Sequence, residues 1–155
     1  MDWDCGDPRH RNPYAHEQGC AEYARLSMSD WDVISGSGRL LEWFGEWPNF
    51  HDAEVLELYL SRNGVSRIRI QTWLTSDVVD ERGYFRRDKE TVVTFHLTGI
   101  VDLEIKDFSV QNVLACVEVS AKQDVTRLVL WPCYGLGGYI EARHVEVGIE
   151  PTRAA

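Results

Sequence analysis

The chain has 155 residues, 44% of them hydrophobic, which is enough for one domain with a real core and too short for two ordinary ones. It carries 16 Lys and Arg against 25 Asp and Glu, a formal charge of −9 with histidines neutral. It therefore lacks the cationic excess that a nucleic-acid binder or a protein held on an anionic membrane would need.

Apolar runs are a handful of residues long, far below a bilayer span. Met1-Asp2-Trp3-Asp4-Cys5 is acidic where a secretory signal is basic and then apolar, which points to the cytoplasm. Cys5 and Cys20 lie in the first 20 residues, whereas Cys116 and Cys133 lie in or beside apolar runs. The chain is too poor in cysteine for a disulfide-built domain. In a reducing compartment, Cys116 and Cys133 read as small buried hydrophobes.

Residues 1–27 form a distinct extension. Gly6, Asp7-Pro8, Asn12-Pro13 and Gly19 interrupt it, and no apolar period survives apart from a possible short helix around Glu17–Leu26. The folded unit is expected to begin near Met28 and run to the end, as one domain over 28–155. Ser37 offers an N-cap for a two-turn helix, with Leu40, Leu41 and Phe44 on one side and a stop at Gly45.

Strands follow. Leu56, Leu58 and Leu60 alternate in Glu54–Ser61, and Ile68 and Ile70 alternate in Val65–Thr75. A two-residue Asn63-Gly64 turn would set Leu58 against Arg69. A three-residue loop, Arg62-Asn63-Gly64 with Gly64 left-handed, aligns Leu58 with Ile68 and Leu56 with Ile70, and sets Glu57 opposite Arg69 and Tyr59 opposite Arg67. Residues 76–90 read as a polar hairpin tip. Thr91–Gly99, Val101–Lys106, Val113–Ala121, Val125–Trp131 and Tyr139–Ile149 complete about seven strands. The expected class is α+β, a predominantly antiparallel sheet with a short N-terminal helix packed on it.

Sequence motifs for chemistry are weak. Cys5, His10, His16 and Cys20 are zinc-ligand types, but their spacing is not that of a standard finger. His51 and Asp52 are adjacent at the mouth of the first strand, so strand geometry would point them to opposite faces, and a structural role is the better reading. Cys116 and Cys133 lack a base nearby in sequence, and the Gly135–Gly138 cluster lacks the Lys-Ser/Thr of a phosphate loop, so it reads as a turn. No motif calls for a metal or another cofactor.

The outer face of the first hairpin, with Glu57, Tyr59, Arg67, Arg69 and Trp73, carries residue types that anchor protein interfaces. Acids lie near it in sequence: Asp77, Asp80 and Glu81 in the tip, and Asp102 and Glu104 on a later strand. They would steer a basic partner. A pocket near Trp43, Trp47 and His51 is the alternative, serving a small-molecule-binding module or minor hydrolase.

The block Trp47-Pro48-Asn49-Phe50-His51-Asp52-Ala53-Glu54-Val55-Leu56 resembles the start of the first strand in the immunity protein 50 family. Val101–Phe108, Gln111-Asn112-Val113, and Tyr134-Gly135 with Gly138–Ala142 extend the resemblance across roughly Leu40 to Ile149. It implies a small cytoplasmic antidote of a bacterial polymorphic toxin system, one that binds a cognate toxin domain and catalyses nothing. Contact residues are expected at Tyr59, Arg67, Arg69, Trp73, Asp77, Asp80 and Glu81, then His51, Asp52 and Glu54. The toxin would be the partner, a nuclease being one candidate, and the antidote a monomer or weak homodimer.

Overall fold

Period-two alternation, the strongest pattern in the chain, is realised as six strands. The computed structural model describes residues 30–151. The extension, with Cys5, His10, His16, Cys20 and the short helix expected near Glu17–Leu26, lies outside them. A 3-10 turn, Asp30–Val33, and helix α1, Gly38–Phe44, precede β1 Glu54–Tyr59, β2 Ser66–Val79, β3 Phe85–Lys106, β4 Val113–Lys122, β5 Val125–Tyr134 and β6 Gly137–Pro151. The strands close into a barrel in the order β1-β2-β3-β6-β5-β4, each neighbouring pair antiparallel.

About seven strands become six because Thr91–Gly99 and Val101–Lys106 join in one 22-residue strand. That strand changes course where Gly99 takes φ 69 and a bulge leaves Val101 unpaired, between Ile100↔Ala142 and Asp102↔Glu141. The expected inward alternation breaks here, and Val101 is exposed.

The first hairpin keeps the register expected of a three-residue loop, with Leu58↔Ile68, Glu57↔Arg69 and Tyr59↔Arg67. Two details differ. A bulge at Leu56 pairs Val55 with Ile70, so Val55 enters the core and Leu56 is 45% exposed. Gly64 is not left-handed; instead the Ser66 hydroxyl holds the loop, accepting from the Ser61 N–H at 2.9 Å and donating to the Ser61 carbonyl at 3.3 Å.

Inside the barrel, Ile68, Ile70, Phe95, Leu97, Leu128 and Ile140 are fully buried. The β5–β6 ladder stops at Thr126↔Ala142. Beyond it, β6 accepts Ser35 as a neighbour, through Ser35 N–H to the Val145 carbonyl (3.1 Å) and Val147 N–H to the Ser35 carbonyl (2.8 Å). Trp31, 5% exposed, stacks on Trp47 and Phe50 at centroid separations of 5.8 and 5.9 Å and tilts against Phe95. Burying each such ring contributes about 2–3 kcal/mol.

Helix α1 presents Leu40 and Phe44 to this core, but Leu41 is exposed. Ser37 provides no side-chain cap, whereas Gly45 ends the helix in the left-handed conformation as expected. Two further expectations are corrected. Residues 76–90 are mostly strand, with a tip confined to 80–84. Cys116 and Cys133 are both disulfide-bonded rather than buried thiols, which removes the cysteine part of the argument for a reducing compartment.

Closure between β1 and β4 is the narrowest join, a single ladder pair, Glu54↔Val113. Backbone bonds extend it: Asp52 N–H to the Leu114 carbonyl (2.9 Å), Leu114 N–H to Ala53 (2.8 Å) and Val55 N–H to Asn112 (2.8 Å). The Asn112 side chain, nearly buried, accepts from the N–H groups of Ser109 (2.8 Å) and Leu136 (3.0 Å) and donates to the Ser109 carbonyl. Asn112→Ala leaves these groups unpartnered and is expected to cost about 2–4 kcal/mol, read in thermal unfolding as a Tm lowered by roughly 5–15 °C. An unchanged Tm would show that Asn112 does not brace the join.

Candidate functional site

The Phe50-His51-Asp52 block enters the barrel through a turn, not a strand. Phe50 and Asp52 adopt φ of 59 and 62, and the His51 N–H donates to Asn49 Oδ1 at 2.9 Å. The turn corrects the expectation that the two side chains diverge: His51 Nδ1 and Asp52 Oδ2 lie 3.1 Å apart, both well exposed. Phe50 goes into the aromatic stack while the backbone of Asp52 and Ala53 makes the join to β4. Of the residues expected near a pocket, Trp43, Trp47 and His51, Trp47 is stacked on Trp31, whose ring also stacks on Phe50 beside His51. Trp43 instead exchanges bonds with Lys89: the indole N–H donates to the Lys89 carbonyl (3.4 Å), and Lys89 Nζ donates to the Trp43 carbonyl (2.8 Å).

On β2 the inward side chains are Ile68, Ile70 and Thr72, so Arg67, Arg69, Gln71 and Trp73 form one outward rail. The Arg67 guanidinium lies 4.5 Å from the Tyr59 ring centroid and pairs with Glu57. The ion pair is thus diagonal, although Glu57 faces Arg69 in register. Arg69 reaches Glu150 on β6 at 3.3 Å. Glu54 pairs with Gln71 beside this rail. Cross-strand register adds His96 on β3 and Glu146 on β6 to the row of Tyr59 and Arg67. Alternation marks His96 as outward, but only the β3–β6 pairing shows that these residues complete the row.

The acids do not form one face. Asp77, Asp80 and Glu81 belong to the far end of the β2–β3 hairpin, whereas Asp102 and Glu104 lie at the opposite end of β3. Asp80 serves the turn: its Oδ1 accepts from the N–H groups of Arg82 (2.8 Å) and Tyr84 (3.0 Å).

Asp102 and Glu104 join a second charged face that the sequence reading missed. There the Tyr139 hydroxyl donates to Asp102 at 2.9 Å, and Arg127 bonds Glu141 at 2.8 Å while lying 3.9 Å from the Tyr139 ring centroid. The hydrogen bond to Asp102 holds the Tyr139 hydroxyl above its ordinary pKa, helped by some burial and by the Asp102 charge. Glu118, on β4 beside Trp131, has its carboxyl pushed up by partial burial, which the nearby indole partly offsets.

A carboxyl whose pKa is raised by folding costs stability once it ionises, so Glu118 destabilises at neutral pH and ceases to do so as pH falls through its range. Glu118→Gln is therefore expected to raise Tm at pH 7, with the difference from the wild type shrinking as pH falls through the raised pKa and gone by about pH 4. A constant difference across that range, measured by thermal melts, would exclude this role.

A further feature is the β2–β3 hairpin itself. β1 pairs with β2 only as far as Gln71, and β6 pairs with β3 only as far as Thr91. Residues beyond these points therefore form a two-stranded arm, with no other strand on its edges among the described residues. Arg87 packs 3.9 Å from the Trp73 ring centroid at its base, and Gln71 bonds Glu90. Its tip exposes Val78, Val79, Tyr84 and Phe85. The sequence signal was present as apolar pairs inside a segment read as polar.

No curated protein and no solved structure matches this chain significantly. A family model does, the one described as Immunity protein 50, over residues 36–149. This covers α1, the closing turn at His51 and Asp52, strands β1 to β5 and nearly all of β6. The chain belongs to the immunity protein 50 family.

Proposed function

We propose that this protein binds a cognate toxin domain of a bacterial polymorphic toxin system and neutralises it by covering its active site, with no catalysis of its own. The family match over residues 36–149 carries the reading. It is supported by where the polar groups lie: the barrel interior is packed with aliphatic and aromatic side chains, and the charged rows face outward. The contact residues are Tyr59, Arg67, Arg69 and Trp73 on the β2 rail, Asp77, Asp80 and Glu81 on the arm, and His51, Asp52 and Glu54 beside the join. A formal charge of −9 suits a basic target such as a nuclease groove. The antidote would act in the cytoplasm as a monomer or weak homodimer.

Co-expression with the toxin domain encoded immediately upstream tests this. Cells are expected to survive and the two proteins to co-purify, and the double variant Arg67→Ala, Arg69→Ala to weaken binding about tenfold or more. Cell death despite full expression, together with failure to co-purify, refutes the reading.

A further inference from the structure

We infer that the β2–β3 arm is a plug whose tip enters an apolar-floored cleft of the partner protein. This rests on the proposed toxin-binding function and names how the toxin is recognised. Val78, Val79, Tyr84 and Phe85 are 61%, 50%, 58% and 62% exposed. Contiguous exposed apolar surface of this kind on a monomer is often functional. Val79 faces Phe85 in register, so these two side chains share one face of the ribbon.

An isolated two-stranded ribbon is marginal in water, and this one is braced at both ends. The Asp80 carboxylate holds the turn, while Arg87 on Trp73 and Lys89 on the Trp43 carbonyl hold the base. A braced tip enters a complex with little ordering cost.

Shape and charge select the occupant. A narrow convex finger fits a concave site rather than a flat one. The tip from Val78 to Arg86 carries two acids and two bases, whereas the whole chain stands at −9. Asp80, Glu81 and Arg82 are consecutive in the turn, and Arg86 pairs with Asp88 on the return strand at 3.2 Å. The complementary cleft therefore has an apolar floor and no strong net charge of either sign. An anionic bilayer would be repelled by the excess negative charge of the molecule.

The test uses the full chain and a catalytically inactivated form of the upstream toxin domain in a calorimetric titration. The double variant Val79→Ser, Phe85→Ser is expected to raise Kd by about 30-fold or more. Its Tm should stay close to the wild type, because both side chains are exposed. Val110→Ser, at a fully exposed site away from the arm, should leave Kd unchanged.

If the wild type binds and the double variant binds within threefold of it, the plug is overturned and the toxin-binding reading stands. If the wild type neither binds nor protects cells, both fall. Phe85-dependent sedimentation with phosphatidylglycerol vesicles, or a Phe85-dependent dimer in analytical ultracentrifugation, would replace the plug with a membrane or self-association role.

Discussion

Closure of the barrel between β1 and β4 is the constraint on which the rest depends. One ladder pair and three flanking backbone bonds join the first strand to the fourth. Those bonds require the chain to arrive at Ala53 already turned, which is why Phe50 and Asp52 sit at positive φ. The same turn sends Phe50 inward to the Trp31 stack and leaves His51 and Asp52 outside. A His-Asp pair that could suggest acid–base chemistry is thus seated on the element that completes the wall, with its side chains in solvent rather than in a cleft.

Closure also divides the molecule chemically. Once every strand has neighbours on both sides, the inward positions are filled mainly by apolar side chains with a few Ser and Thr, and charge sits on the outer rows or at the rims. Two charged faces result. One is the β1–β2–β3–β6 face with Tyr59, Arg67 and Arg69; the other is the β3–β6–β5–β4 face with Asp102, Tyr139, Arg127 and Glu118. Exposed pairs of this kind add little stability, so these faces are better suited to recognition than to holding the fold. The arm differs in kind, because it projects past the closed wall and shows apolar rather than charged surface at its tip.

The sequence was most legible where a pattern is local. Register in the first hairpin followed from matching Leu58 to Ile68, because a one-residue slip would expose every apolar side chain. Gly45 stopped the helix for a reason visible in the residue itself. Errors gathered at bulges. Leu56, Val101 and the stretch Val113 to Cys116 each shift the alternation by one residue, and a bulge is decided by the strand across the ladder. The arm was misread for a related reason: its polar composition matches a loop, while pairing between Thr75 and Arg87 and between Val79 and Phe85 makes it strand.

The amino-acid sequence by itself determined the class of the fold, the family signature around Phe50-His51-Asp52 and the excess of acid. Each is a property of residue type and short-range spacing. Tertiary structure alone decided that the sheet closes, that β6 returns beside β3 to place Glu146 and Glu150 next to the arginines of β2, and that the acids separate to opposite ends of β3. These outcomes depend on pairings between strands far apart in the chain. Such pairings are selected by the packing of the whole interior, and no local pattern records them.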